Sequence, residues 1–545
     1  MKKIILIIMS LYNSSVLMAQ ENYDVNRQYQ KFVTYPVTVE TDFLNAEEKA
    51  VLNKLFQVSE LMSEIYRRQL TPDYDVLKAQ LSASHIANKK QISMLFDLYF
   101  SPWDNLANDY PFYAKSPRPD GANFYPIDLS KQEFEQWLQD HPQDDSAFTG
   151  LHTVIERQGN QLIAIPYHEK YKQWLTPAIA LLNEAAELSS NPSLKTYLQQ
   201  AAIALATDDY HDADVAWIDI KDTVIEPIVG AYEVYADYMF NYKAAFQAFI
   251  MVKNPQDSQE LNHFKKYLKS LEQNLPIKNQ YKNLDKTFVS PIVVVNQLQG
   301  GGFVRAGIQN LAFNLPNDPS VRKNKGSKNV IIKNVIAAKF DAIVLPLAQH
   351  LLNKKQLKSV TVDAMFYDIL FHELSHALGP DIIEKQGKKI SVAKVLKEQH
   401  STIEEAKADV MGIYNALFML EKKQLPNQSK QQLLSSYFIN FFRAMRFGLN
   451  DAHARGSAIQ YHYYLQQQAI VYQEDGKHFI IDYNQLEKSI KNLLTELLMQ
   501  QAQADYVKST HFLSKYVKIS DKLQQILNRL TGLPIDINPI YPEKI

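Results

Sequence analysis

The stretch from Thr361 to Tyr414 constrains this chain more than any other, because residues 372–376 read His-Glu-Leu-Ser-His. Histidines four residues apart lie on one face of an α-helix, so both imidazole rings can reach a single metal ion. Glu373, beside the first histidine, can then take a proton from a water molecule at that ion. The spacing therefore predicts metal-assisted hydrolysis, provided that the segment is helical.

The residues around this pattern do predict a helix. Thr361 or Asp363 can cap its amino end, and apolar residues flank the pattern. Gly379 followed by Pro380 can end it, because glycine tolerates a left-handed backbone and proline cannot continue a helix. The alternative is an ordinary helix whose solvated face carries a hydrogen-bonded pair of histidines.

A second segment, Glu404-Glu405-Ala406-Lys407-Ala408-Asp409, can complete a metal site. A catalytic zinc ion commonly has three protein ligands, and Glu405 can be the third. Asp409 lies one turn further along the same face of the predicted helix. There its carboxylate can accept a hydrogen bond from the non-ligating nitrogen of a ligand histidine.

Taken alone, this second segment has another interpretation. Ser401 with Glu404, and Thr402 with Glu405, both fit the capping-box pattern Ser/Thr-x-x-Glu that begins many helices. The two interpretations assign different partners to the same glutamates, and the residues alone leave both open.

Composition narrows the class of protein and of ligand. A chain of 545 residues allows two or three domain-sized cores, and its 46% hydrophobic residues are ordinary for a globular protein. With no cysteine, the chain forms no disulfide and offers no thiolate, so histidines and carboxylates remain as zinc ligands. A formal net charge of -1 gives no basic surface for nucleic acid or for an anionic membrane.

The amino terminus has the pattern of a secretory signal peptide. Two lysines precede an apolar run from Ile4 to Leu11, and Leu17-Met18-Ala19 precedes the predicted cut before Gln20. The apolar run is too short to span a bilayer, and no other stretch is long and apolar enough to do so. We therefore expect residues 1–19 to be removed and the mature protein to be soluble in the periplasm or outside the cell.

The segments FHELSHALGP and EEAKAD together resemble the dipeptidyl peptidase III family of zinc exopeptidases, and most closely its bacterial branch. The family usually has one more residue in the first motif, HExxGH, whereas this chain has the five-residue form. The resemblance implies that one zinc ion is bound by His372, His376 and Glu405. It further implies that Glu373 is the general base and that Asp409 orients a ligand histidine.

Weaker segments of the resemblance imply substrate contacts. In the family, a glutamate at the place of Glu226 helps to bind the free amino group of the substrate. The family's catalytic tyrosine, two residues later, falls on Ile228 here. The chain therefore lacks the family's tyrosine at this position, and Tyr232 or Tyr235 can lie close enough to replace it.

Two further segments carry implied site residues. Asn314 and Asn317 match the asparagines with which the family binds substrate, beside an edge strand that pairs with the extended peptide. His453 matches a histidine that steadies the tetrahedral intermediate. The family's arginine four residues after it is Ser457 in this chain.

The resemblance implies an α+β fold, mostly helical, with two lobes across a wide cleft. One lobe is helical and carries zinc, and the other is mixed and contains a small β-barrel. The expected order is signal peptide 1–19, mixed lobe 20–245, first part of the helical lobe 246–290, mixed-lobe strands 291–345, helical lobe with zinc 346–510, and carboxy-terminal segment 511–545.

Apolar alternation and turn residues predict several strands directly. The predicted strands and turn are a hairpin of Thr153–Ile155 with Leu162–Ile165, strands at 291–295, 303–306 and 311–315, and a turn at Gly300–Gly302.

The sequence therefore predicts a zinc metallopeptidase that removes dipeptides from the amino end of short peptides. Two alternatives remain at this point. One is a zinc peptidase of another class, either an endopeptidase or a single-residue aminopeptidase, which would share the first motif. The other is a metal-containing peptide-binding protein with little or no turnover, which the residues at 228 and 457 would favour.

Overall fold

The computed structural model describes residues 23–545 except 115, 255–256, 258–262, 285–290, 386, 447 and 475–476. The predicted signal peptide, residues 1–19, lies outside the described residues and stays a prediction, which amino-terminal sequencing of the exported protein tests. No helix in the described part of the chain is long and apolar enough to cross a membrane.

Helices make up most of the ordered structure. In chain order, the α-helices α1 to α23 are Val25–Tyr29, Ala46–Leu70, Tyr74–Ala83, Lys89–Tyr99, Lys131–Asp140, Asp145–Thr149, Tyr167–Lys170, Lys172–Leu188, Pro192–Thr207, His211–Ile218, Leu268–Asn274, Pro319–Asn324, Lys333–Lys339, Leu345–Leu351, Lys354–Leu357, Val362–Ser375, Val392–Leu396, His400–Glu421, Lys430–Met445, Ala452–Gln466, Tyr483–Gln503, Tyr506–Tyr516 and Asp521–Arg529. A π-helical turn, Phe340–Val344, joins α13 to α14.

The strands are shorter and form one main sheet. In chain order, β1 to β15 are Phe32–Pro36, Trp103–Asp104, Tyr110–Pro111, Thr153–Gln158, Gln161–Pro166, Ile225–Glu233, Ala245–Lys253, Ile292–Gly302, Ala312–Leu315, Lys328–Ile332, Ile382–Lys385, Lys388–Ser391, Ile470–Gln473, His478–Ile481 and Asp536–Ile540. The main sheet has the order β6-β7-β8-β10-β9, and the remaining strands form two-stranded pairs. Within it β8 and β10 are parallel, and the other neighbours are antiparallel.

Buried apolar side chains form two large cores. The first joins α2, α8 and α9 to the main sheet, and the second joins α16 to α18, α19, α20 and α21. Strand β10 contributes to both, because Val330 and Ile332 enter the first core while Ile331 enters the second. Side chains alternate between the two faces of a strand, so one strand can serve two cores. The prediction of a mostly helical α+β fold is confirmed.

The main sheet is open in the described residues, whereas a small barrel was predicted. Its edges are β6 and β9, which lie at opposite ends of the strand order and do not pair. Helix α2 packs across β7 and β8, covering one face of the sheet. An open sheet leaves the hydrogen-bonding groups on the outer side of its edge strands, here β6 and β9, available for other partners.

Two segments of the predicted domain order, 246–290 and 511–545, are divided between the two cores. Strand β7 lies inside the first core, so the helical part does not begin at residue 246. Apart from the buried Gln247 and the terminal Lys253, its residues are apolar, because both faces of the strand are buried. The segment 511–545 also divides: helices α22 and α23 join the second core, and β15 returns to pair with β1 beside the first.

The structure confirms some of the predicted strands and contradicts others. The hairpin near residue 153 is confirmed as β4 and β5, and the third predicted strand as β9. Residues 303–306 form a turn, and Gly300–Gly302 end strand β8 instead of forming a turn. These glycines allow close packing, since a Cβ atom at Gly301 would lie 2.2 Å from the carbonyl oxygen of Ser59 in α2.

Glu226 lies near the start of edge strand β6 and is fully buried, which contradicts its predicted role. Its side chain is 0% exposed, and one carboxylate oxygen accepts a 2.7 Å hydrogen bond from Lys328 Nζ. The Nζ atom of Lys253 lies 3.1 Å from the other oxygen. Two lysines therefore occupy the carboxylate, and it does not face the cavity that holds the other predicted site residues. The prediction that Glu226 binds the substrate's amino group is wrong.

We expect Glu226→Ala to destabilise the protein, because Lys328 would remain as a buried charge without its carboxylate. Removing one partner of a buried ion pair costs about 3–5 kcal/mol of unfolding free energy. The matched control is Glu184→Ala, whose pair with Lys54 is exposed and should contribute less than about 1 kcal/mol. Urea denaturation measures both variants. Equal stability of the two variants would contradict the structural role given to Glu226.

Candidate metal centre and adjoining cavity

Helix α16 carries the first motif as predicted. The Thr361 hydroxyl caps its start by accepting a hydrogen bond from the amide of Ala364. The helix ends at Ser375, and His376 follows in a still helical backbone conformation. Both motif histidines therefore lie at the carboxyl end of the helix, one turn apart.

Three donor atoms converge at this helix end. The Nε2 atoms of His372 and His376 lie 3.1 Å apart. One carboxylate oxygen of Glu405, Oε2, lies 3.3 Å from the first of these nitrogens and 3.8 Å from the second. These three residues form the group of possible metal ligands found in the described part of the chain.

The donor set fits zinc. An ion about 2.0–2.1 Å from two nitrogens in tetrahedral geometry holds them about 3.3 Å apart, close to the spacing found here. The Oε2 atom of Glu405 is buried and has no hydrogen-bond partner in the described structure. A buried carboxylate oxygen without a donor is costly, and a cation between it and the two nitrogens would supply the missing interaction.

The other ring nitrogen of His372 is held as predicted. Its Nδ1 atom lies 2.7 Å from Asp409 Oδ1. The second oxygen of that carboxylate accepts a 2.9 Å hydrogen bond from Gln460 Nε2. Because Nδ1 donates to the carboxylate, Nε2 is left as the free acceptor that a metal ligand requires.

Glu404 orients His376 in the way that Asp409 orients His372, a role that was not predicted from the sequence. Its Oε1 atom lies 2.8 Å from His376 Nδ1 and accepts a 2.8 Å hydrogen bond from Lys407 Nζ. Gln501 Nε2 donates to the other oxygen at 2.6 Å. Each ligand histidine thus has a carboxylate behind it, and each carboxylate has an amide or ammonium donor of its own.

The capping-box interpretation of the second motif is wrong. Helix α18 begins at His400, so Ser401 and Thr402 lie inside its first turn, and no side chain caps its start. The hydroxyl of Thr402 instead accepts a 2.6 Å hydrogen bond from Arg455 Nε. Both motif glutamates are consequently free to point at the histidines.

The local charges favour ionised carboxylates at the site. Burial acts to raise the pKa of Glu405, but its contacts with His372 outweigh burial and lower the pKa to about 2. Burial also opposes ionisation of Glu404, yet Lys407 and His376 hold the pKa of Glu404 well below its usual value. A carboxylate that stays ionised is the form that coordinates a metal.

Helices α16 and α18 approach closely enough for these contacts because of one glycine. A Cβ atom at Gly412 would lie 2.8 Å from the backbone nitrogen of His372. Real Cβ atoms do not approach backbone that closely, so any larger residue would push the helices apart and lengthen the carboxylate contacts behind the histidines.

The metal ligands line a cavity of about 990 Å³, which we call the central cavity. Its wall on the side of the helical core includes Glu373, the predicted general base, and His453. The His453 side chain is 61% exposed, and its Nδ1 atom lies 3.2 Å from Glu405 Oε2. The histidine predicted to contact the reacting group therefore lies beside the proposed ligands.

Another part of the lining of the central cavity comes from the main sheet. It includes Asn314 in edge strand β9 and Asn317 just beyond it, as predicted. Asn314 donates to Asn329, and its own carbonyl oxygen is buried without a partner. Asn317 lies at the same end of the cavity and contacts Glu233.

Glu233, at the end of β6, is the sheet carboxylate that lines the central cavity. Burial raises its pKa, and the hydrogen bond with Asn317 acts in the opposite direction. Tyr235, two residues later, is 65% exposed and also lines the cavity. The resemblance implied a glutamate and a tyrosine two residues apart at positions 226 and 228. This pair occurs instead at 233 and 235, at the carboxyl end of β6.

The other residues named at this place do not face the central cavity. Ile228 is buried in the first core. The hydroxyl of Tyr232 interacts with Asp214, and burial holds the Tyr232 pKa well above its usual value. Of the two candidate replacement tyrosines, the structure thus brings Tyr235 to the site. Ser457 lines a neighbouring pocket instead.

A family model described as Peptidase family M49 matches residues 156–390. Among solved structures, the chain is similar to DPP III from Caldithrix abyssi, with 41% identity, a TM-score of 0.92, and coverage of 95% of this chain and 98% of the other. It is also similar to dipeptidyl-peptidase III from Corallococcus sp. strain EGB, with 34% identity, a TM-score of 0.78, and coverage of 95% and 96%.

Two curated relatives have different names. A protein named Nudix hydrolase 3 from Arabidopsis thaliana is 32% identical over 95% of this chain and 74% of its own length. Dipeptidyl peptidase 3 from Nematostella vectensis is 25% identical over 39% of this chain and 32% of its own length.

We expect His372→Ala, His376→Ala and Glu405→Ala each to lose most of the bound zinc, since each removes a donor atom. Asp409→Asn and Glu404→Gln should weaken zinc binding by about 10-fold to 100-fold, because they only loosen the orientation of a ligand histidine. Competition with a chelator followed by elemental analysis measures these affinities. Full zinc occupancy in Glu405→Ala would show that the third ligand is misassigned.

Proposed function

This chain belongs to peptidase family M49, the DPP III family of metallopeptidases, and we propose that it uses one zinc ion to release dipeptides from the amino terminus of short peptides. The observation that supports this most is the convergence of two histidine Nε2 atoms and an unpartnered Glu405 oxygen at the edge of a cavity. The sheet residues that line the same cavity include groups suited to an amino terminus.

His372, His376 and Glu405 would hold the ion. When bound, zinc acts as a Lewis acid toward a carbonyl oxygen and lowers the pKa of a coordinated water to about 7. The carboxylates of Asp409 and Glu404 keep both ring nitrogens oriented throughout.

Glu373 handles the protons in the proposed mechanism. It follows His372 on α16 and lines the central cavity without being one of the three converging donors. Its carboxylate takes a proton from the attacking water and passes it to the leaving amine, so one residue serves as base and then as acid. His453 lies on the same wall and donates a hydrogen bond to the developing oxyanion.

The sheet side of the cavity holds the substrate. Strand β9 is an edge strand, so its free backbone groups can pair with an extended peptide irrespective of peptide sequence. The Glu233 carboxylate and Asn317 lie beyond the carboxyl end of β9 and receive the ammonium group of the peptide. The fixed distance from this anchor to the zinc ligands would limit the product to two residues.

The proposal takes Tyr235 as the tyrosine of the substrate site. It stacks against Phe303 with ring centroids 6.2 Å apart and projects into the cavity. The absence of a tyrosine at position 228 therefore no longer argues for a protein without turnover, and the alternative of a peptide-binding protein becomes an outcome of the following experiment.

We expect Glu373→Gln to retain zinc but to lower the rate of peptide hydrolysis by at least about 100-fold, because the amide cannot accept the proton. Asp363→Asn is a matched control, since this exposed residue lies in the first turn of the same helix. Elemental analysis and a chromatographic peptide assay provide the two readings. A rate near that of the wild type would remove Glu373 from the mechanism, and an inactive wild type would favour a binding protein.

We expect amino-terminal acetylation of a peptide to impair cleavage by the wild type, because it removes the charge that Glu233 would bind. Glu233→Gln should lower kcat/KM for free peptides by about 10-fold to 100-fold, the loss of one charge-assisted hydrogen bond, and acetylation should then add little. Glu187→Gln, exposed on α8, is the control. Mass spectrometry identifies the products. Equal cleavage of free and acetylated peptides, or mainly internal fragments, would favour an endopeptidase.

A further inference from the structure

A second cavity of about 470 Å³ opens beside the metal ligands, and we call it the side pocket. It shares Asn310, Ala312, His372, Glu373 and His453 with the central cavity. From there it continues between residues 308–312 and helix α19. The two cavities therefore meet at the proposed catalytic residues.

Arg443 of α19 lines the side pocket and has no polar partner among the described residues. No hydrogen bond or ion pair within 4.0 Å joins its guanidinium to a described group. Its Nε atom is sealed from solvent and unsatisfied, whereas its two terminal nitrogens are not sealed. Burial lowers the pKa of Arg443. A desolvated cation without an acceptor is unfavourable, so an anion that enters the pocket would gain its interaction.

Five other buried or largely buried cations of the described structure contrast with Arg443. Each of them bonds to two or three oxygen atoms. They are Lys243, Lys328, Lys339, Lys407 and Arg446. Lys339 also lines the side pocket, but the protein itself supplies its acceptors, whereas Arg443 is left without one.

Four carboxylates line the side pocket; one is Glu373, the proposed general base, and the other three are hydrogen-bonded elsewhere. Asp409 accepts hydrogen bonds from His372 and Gln460. Asp451 caps helix α20 through the amide of Ala454. Asp368 accepts a 2.7 Å hydrogen bond from Asn440. These acids exert a field on Arg443, but none of them occupies its donors.

The direction of the substrate assigns the side pocket to one side of the cleaved bond. With its ammonium group at Glu233 and Asn317, a peptide paired with β9 would run from Asn314 toward Ala312, in the cavity that the proposed zinc ligands also line. The next residues of the wall are 308–311, which line the side pocket. The part of the substrate that follows the cleaved bond therefore reaches this pocket.

We propose that Arg443 binds a carboxylate of the substrate on the carboxy-terminal side of the cleaved bond. The carboxylate is either the terminal group of a tripeptide or tetrapeptide, or the side chain of Asp or Glu in the first two positions after that bond. The inference rests on the proposed function. A guanidinium suits this role because its planar donors can bind both oxygens of a carboxylate.

Matched substrates separate the two sources of the carboxylate. One pair is a tetrapeptide with a free or an amidated carboxyl terminus, and the second pair is an amidated peptide with Glu or Gln directly after the cleaved bond. A third pair places Glu or Gln one residue later. For each pair kcat/KM is measured as the rate of dipeptide release. The wild type should prefer the acidic member of at least one pair by about 10-fold to 100-fold.

Variants assign that preference to Arg443. Arg443→Gln should abolish the preference by slowing cleavage of the acidic peptide, with little effect on its neutral counterpart. Arg443→Lys keeps the charge and should retain part of the preference. Arg529→Gln, exposed on α23 away from both cavities, should behave like the wild type.

The outcomes distinguish this inference from the proposed function. Dipeptide release without any preference for an acidic member would overturn the role of Arg443 and leave the exopeptidase standing. A preference that survives Arg443→Gln would overturn it as well. If neither Arg443 variant folds, the comparison of wild-type rates within each pair still decides. No dipeptide release from any peptide would overturn the proposed function itself.

Discussion

The metal centre depends on the contact between two helices, α16 and α18. Their carboxylate–histidine hydrogen bonds, from Asp409 and Glu404, fix which ring nitrogens face the cavity. Gly412 permits the helix approach, and Gly456 plays a similar part where α20 packs against Ala406. The carboxylate–histidine hydrogen bonds thus depend on the close packing of the helices, because a wider helix spacing would break the bonds to both histidines at once. The ligands are preorganised by the same contacts that hold the second core together.

The central cavity is lined by residues from elements of both cores. The helical core positions the zinc ligands and Glu373, and the edge of the main sheet presents Asn314 and Asn317 to the substrate. Strands β8 and β10 send alternate side chains into the two cores, which ties the substrate-binding edge to the helices. A peptidase that releases a product of fixed length from an amino terminus requires such a fixed separation between the group that binds the amino terminus and the metal.

Local patterns predicted the parts of the site that lie on one helix. Helical spacing correctly indicated the arrangement of His372 and His376, and Thr361 caps the helix as expected. Glu404 was missed because its motif equally fits a capping box, and only the helix start at His400 separates the two. The substrate-binding glutamate was predicted at position 226 instead of 233 for a different reason. Both residues lie on β6, and only the pairing of the strand shows which carboxylate is buried against lysines. Sheet order and the open edges depend on contacts between distant segments, which no local pattern contains.

The parallel pairing of β1 with β15 joins residues near the two ends of the described chain. Ile537 of β15 belongs to the first core, and Asp536 receives a 2.8 Å hydrogen bond from Lys339 in α13. In chain order β15 follows every other described helix and strand. During synthesis the first core therefore stays incomplete until this strand has emerged from the ribosome, and most of the second core can form earlier.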